Sequence, residues 1–221
     1  MESAQKAYID GDFLKASEIS KNIGTFDGFI LAAEALIIHG EHIALRAQKQ
    51  QIFLNVIDLS EKSLKLQPNN PDALALHIRA LGRYTQLLPP GRALHEGYGD
   101  RIKKLLDTLL RLAPNSWKGH LGYGAWHAEI VVKGGLPGKL LFGASERKAA
   151  YHFNKTLELN RNSFIVNYEV AQELYTLNLN KFKSQIIKLL RNSDTLLATD
   201  SYERILLKKS RELLVKLSGS W

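Results

Sequence analysis

Apolar residues recur along this chain at intervals of three and four, and no stretch alternates apolar with polar for the length of a strand. That period is the mark of amphipathic helices. Phe13, Ala16, Ile19 and Ile23 share one helical face, as do Ile102, Leu105, Leu106 and Leu109. Extended along the chain, the pattern predicts helices over 4–9, 12–22, 26–39, 41–66, 72–87 and 100–112. Further helices follow over 117–132, 145–159, 163–177, 181–191 and 200–217. Asp12, Asp100, Ser116, Ser145, Ser163 and Asp200 stand where an N-cap would accept the first orphan backbone N–H groups. Gly40 is expected to interrupt the third helix, and Pro89-Pro90 to end the fifth. Two segments, about 89–99 and 133–143, fit no helix and are expected to be insertions. The fold class is all-α.

One phrase recurs. Ser63-Leu-Lys-Leu-Gln-Pro-Asn-Asn, Leu109-Leu-Arg-Leu-Ala-Pro-Asn-Ser and Thr156-Leu-Glu-Leu-Asn-Arg-Asn-Ser align on Pro68, Pro114 and Arg161, 46 and 47 residues apart. Each is a helix end, a break and a new helix start. Repeated helix–turn–helix units bury their apolar faces by stacking on their neighbours, so the whole chain, 1–221, is expected to form a single helical-repeat domain.

At these residues the chain resembles the tetratricopeptide repeat (TPR) family. The clearest stretch is Arg147-Lys-Ala-Ala-Tyr-His-Phe-Asn-Lys-Thr-Leu-Glu-Leu-Asn160, with Ala149 and Phe153 at the family's small and aromatic positions. Gly124 and Ala171 match its small first-helix residue. The resemblance implies a right-handed α-α superhelix of about five irregular TPR-like helix pairs. It would carry the two insertions and a capping helix over 200–217. A narrower likeness covers 118–175: Gly119-His-Leu-Gly-Tyr-Gly-Ala-Trp-His-Ala128, Gly134-Gly135 and the repeat at Ala149 resemble the TPR component associated with TRAP transporters. Proteins regulating microtubule dynamics are similar there. The transporter likeness implies a second function, a small-ligand-binding accessory protein with a cavity in place of a groove.

Composition narrows the chemistry. There is no cysteine, hence no disulfide, thiol nucleophile or thiolate metal site. No apolar run approaches the roughly 20 residues of a membrane span, and Met1 to Asp10 lacks a signal-type core. A cytoplasmic location is expected. Net charge is +8, and 181–221 holds nine Lys/Arg against four Asp/Glu. Those charges are spaced along helices, so a solvated face is preferred over nucleic-acid binding by the C-terminal helices.

No motif for catalysis, metal or cofactor emerges. Gly134-Gly-Leu-Pro-Gly-Lys139 has three residues between Gly134 and Gly138 where a P-loop has four, and Leu140 where it has Ser or Thr. Gly119 to Gly124 has the wrong glycine order for a dinucleotide loop and suits close helix approach. His120 and His127 are seven apart, about 10 Å along a helix, so with Glu129 they make no helical zinc pair. His39, Glu41 and His42 are expected at the surface beside a turn. No Gly-x-Ser-x-Gly elbow anchors a triad.

The function expected is therefore non-catalytic: a scaffold binding a protein or peptide, acidic by preference, in the concave groove of first helices. Projection of the repeat places Arg79, Arg83, Lys118, Glu129, Tyr168, Gln172 and Tyr175 in that groove. Arg79 and Arg83, four apart, could grip a carboxylate together; the alternative is local pairing with Asp72 or Glu96. Leu136, Leu140 and Phe142, with Leu141, make the second insertion too apolar for an idle loop. Either they fold back on the core or they form a contact loop for a partner.

Overall fold

The computed structural model describes residues 1–219 and, among them, only helices. In chain order these are α1 Glu2–Asp10, α2 Phe13–Ile23, α3 Phe26–His42, α4 Arg46–Leu66, α5 Pro71–Gln86 and α6 Pro90–His95. They continue as α7 Tyr98–Leu112, α8 Trp117–Lys133, α9 Gly135–Phe142, α10 Glu146–Leu159, α11 Phe164–Asp194 and α12 Ser201–Ser218. Side-chain caps fix many of the starts. Asp12, Thr25, Asn70, Ser116, Ser145, Ser163 and Asp200 each accept backbone N–H groups of the following turn.

Several boundaries depart from the sequence pattern. Gly40 does not interrupt α3; it lies inside it, buried, and a Cβ there would stand 2.8 Å from Ile52 Cγ2 and Phe53 Cε1. Its missing side chain is what lets α4 approach α3. The helix expected from 41 begins only at Arg46, with Gln48 Oε1 accepting from Leu45 N. Both insertions contain helix: α6 in the first and α9 in the second. Asp100 does not cap α7. Gly97, at φ 70°, precedes the first residue, Tyr98, whose ring stands edge-on to Tyr84 at 5.9 Å. The two helices expected over 163–177 and 181–191 are both present, joined at a kink inside α11. At its bend Asn178 is non-helical and its Oδ1 accepts from Lys181 N, capping the second half.

The chain forms two compact units, 1–114 and 115–221. In unit 1, α3 packs against α2, α4 and α5, and α5 against α7. Phe13, Ile37, Phe53, Val56, Leu81 and Leu106 fill its core. In unit 2, α8 packs against α9, α10 and α11, and α11 against α12. Its core holds Phe153, Val166, Leu174, Ile186, Leu190 and Leu206. Gly124 of α8 lies against Phe153 of α10, where an added Cβ would stand 2.5 Å from Phe153 Cδ1. No helix of the described residues is long and apolar enough to cross a membrane.

Candidate functional site

In unit 1 the polar centre is a carboxylate between two guanidiniums. Glu41, on the last turn of α3, has a side chain only 5% exposed. Arg79 and Arg83, one turn apart on α5, both donate to it. Arg79 Nε reaches Oε1 at 2.9 Å and its Nη2 reaches Oε2, while Arg83 Nε reaches Oε1 at 2.7 Å. His42 Nε2 lies 3.5 Å from Oε2. Burial by itself would raise the Glu41 pKa. The charges of Arg79 and Arg83 and the His42 hydrogen bond outweigh it and hold the carboxyl well below its usual range.

The surface expectation for Glu41 and His42 is thus corrected: their side chains are 5% and 8% exposed. Two arginines draw the carboxylate in. Of the acids that the sequence suggested as local partners, Glu96 takes Arg92. Arg79 and Arg83 do act together on one carboxylate, and it belongs to their own chain.

Also in unit 1, His77 of α5 is 4% exposed, with Nδ1 2.9 Å from Ser60 Oγ on α4. Ser60 Oγ also lies 2.8 Å from Ile57 O, so the hydroxyl ties His77 to the α4 backbone. Burial, helped by the charge of Arg101, pushes the His77 pKa down to about 4. The unfolded chain titrates this group near the ordinary histidine value of 6.5 and the folded chain near 4. Between those values the unfolded state binds more protons, so stability falls as pH drops through that window. We expect a loss approaching about 3 kcal/mol by pH 4 from this residue. Urea melts at pH 7 and pH 4.5 will check it; His77→Gln should reduce the difference by its share, leaving that of His152, whose pKa is lowered alike, and an unchanged slope would refute the assignment.

In unit 2 aromatic rings run from α9 into the α8–α10 layer. Phe142 meets Trp126 edge-on at 5.9 Å, Trp126 meets His127 at 4.9 Å, and Tyr123 stacks on His152 at 4.8 Å with planes 8° apart. His152 Nδ1 lies 3.0 Å from His120 Nδ1, with ring centroids 5.2 Å apart. Centroids that far apart on so short a nitrogen contact mean the rings meet nearly end-on. One N–H then donates to the opposite lone pair, whereas a metal would need both lone pairs turned to a third point. Burial and the nearby His120 push the His152 pKa down to about 4. His152 was not visible from the sequence as His120's partner, because 32 residues separate them.

The other groove candidates also lie on α8 and α11. Lys118, Leu121, Ala125 and Glu129 form a half-exposed stripe on α8, and Glu129 pairs with Lys133 at 2.6 Å. On α11, Tyr168 is buried and its hydroxyl accepts from Gln172 Nε2 at 3.1 Å. Tyr175 is half-buried, and Lys216 of α12 lies over its ring and donates to its hydroxyl at 3.1 Å. Arg211 of the basic α12 pairs with Asp194.

The contact-loop candidates divide. Phe142 packs inward on Trp126, while Leu136, Leu140 and Leu141 are 68%, 77% and 67% exposed. No family model matches the chain, and no curated protein does.

Proposed function

We propose that this chain is a non-catalytic, TPR-like binding module that holds a protein or peptide segment against its first helices. The observation that carries the reading is the α8–α11 layer of unit 2. Two neighbouring helices are in contact there, and each carries a stripe of half-exposed side chains at helical spacing. Lys118, Leu121 and Glu129 offer charge and apolar area on one helix, Gln172 and Tyr175 on the other. Mixed stripes of this kind, with a tyrosine and long polar side chains, suit a recognition surface.

The Glu41 triad modifies the preference for acidic segments. Arg79 and Arg83 are already engaged by Glu41, so unit 1 supports an acidic ligand less strongly than two open arginines would. The test is a pull-down from nuclease-treated lysate at about 150 mM salt, where exposed charges beyond roughly 8 Å are screened. The bait is wild type beside Lys118→Glu/Tyr175→Ser. A stoichiometric protein retained by wild type and lost from the variant is the expected result. No such protein, or one held equally by both, would sink the groove reading.

A further inference from the structure

Helix α9 is fastened by one side and apolar on the other. At 100° per residue, Gly138 and Phe142 fall together, and they are its two least exposed residues. They are also the residues that meet α8: a Cβ on Gly138 would stand 3.2 Å from Ile130 Cγ2, and Phe142 packs on Trp126. Leu136, Pro137 and Leu140 occupy the opposite arc, Leu141 stands on its flank, and all four are exposed. The helix is thus held in place by its inner face, and its leucines are turned to solvent by that same packing.

The surroundings are basic. Lys139 projects from α9 itself, Lys148 Nζ donates to Gly143 O at the C-terminal end of α9, and Arg147 is exposed beside it. The nearby acids are occupied: Glu129 by Lys133, and Glu146 by Lys181 and Asn178. Three leucines about two-thirds to three-quarters exposed present on the order of 400 Å² of apolar surface, a patch large enough to be functional. That is about half of what each partner gives to a standard protein interface. A second copy would also bring the same positive rim against this one, and like charges across an interface oppose association. A convex apolar ridge with a cationic border matches instead the boundary between acyl chains and anionic headgroups.

We propose that unit 2 attaches peripherally to an anionic lipid bilayer through the outward face of α9, with Leu136, Leu140 and Leu141 entering the interface. Lys139 and Arg147 engage the headgroups, and each basic side chain strengthens binding by about fivefold near such a surface. The attachment is independent of the groove on α8 and α11, so failure of one leaves the other standing.

The experiment is vesicle flotation of the full chain with phosphatidylcholine alone and with about a third phosphatidylserine. Wild type is expected to float with the anionic vesicles and to release as salt rises. Leu136→Ser/Leu140→Ser/Leu141→Ser should weaken binding at least about tenfold, and Lys139→Gln/Arg147→Gln by about twentyfold. These side chains are exposed, so the variants should melt with wild type, and circular dichroism will check that. The proposal is overturned if wild type stays unbound or binds neutral vesicles equally well. It is also overturned if the leucine variant floats unchanged, or if the leucines instead mediate self-association or capture of a protein without lipid.

Discussion

Glu41→Ala should destabilise the protein by about 3–5 kcal/mol, with the lower end favoured because Arg79 and Arg83 are 32% and 25% exposed. The cost comes from what Glu41 supplies: the one carboxylate that receives both guanidiniums of α5 and ties them to the last turn of α3. For a chain of this size the melting temperature should fall by roughly 6–20 °C. Arg79→Ala alone should cost less, since Arg83 still holds the carboxylate at 2.7 Å. A triple replacement of Glu41, Arg79 and Arg83 by methionine should recover most of the loss, because a buried ion pair adds little over well-packed apolar side chains. If Glu41→Ala melts with wild type, the triad is an exposed cluster with no structural role. The depressed Glu41 pKa adds a second signature. Its stabilisation is complete above the ordinary glutamate value of 4.5 and is lost as pH falls through its well-lowered folded value. That lies below the window in which His77 acts, so the two contributions separate on a pH series.

Phe153→Ala should cost about 3–5 kcal/mol, the range for deleting a fully buried aromatic ring. The ring is 0% exposed and fills the space that Gly124 leaves on α8. The reverse error is the more diagnostic. Gly124→Ala places a Cβ against Phe153 Cε1 and Cδ1, closer than carbon atoms pack. It should cost about 1–3 kcal/mol through overpacking. Gly124→Ala combined with Phe153→Leu should then lose less than the two single changes together, with a coupling of at least about 0.5 kcal/mol. Thermal melts of the four proteins close the cycle; strict additivity would mean that the glycine and the ring do not share that space. The aromatic chain from Phe153's helix to α9 gives the result a wider reading. His152 and Tyr123 belong to the same α8–α10 layer as Gly124 and Phe153, so a widened layer disturbs the rings that lead to Trp126 and Phe142.

The period of three and four along the chain determined that the protein is helical, since no strand exists among the described residues. Local chemistry also placed many helix starts. Asp12, Ser116, Ser145, Ser163 and Asp200 cap as expected because capping involves only a side chain and the next three residues. The failures share a cause in distance. Asp100 looked like a cap, yet a ring contact between Tyr98 and Tyr84 belongs to the turn before it. Gly40 looked like a break, yet its role is to admit Phe53 from α4.

The same division runs through the site. Arg79 and Arg83 were legible as a pair because one helical turn joins them. Their carboxylate was not, because Glu41 lies 38 and 42 residues away and a charged residue by a turn is ordinarily solvated. His120 was legible as a polar residue on a packed helix, but its partner His152 lies on another. The leucines of 136–141 were legible as too apolar for a loop. Which of them face inward was decided by Gly138 and Phe142 meeting Ile130 and Trp126. Sequence alone settled what each segment is, because propensity, capping and periodicity act within a turn or two. Only the tertiary structure settled which charges are buried and which apolar face stays open, because both depend on surfaces that the chain brings together across tens of residues.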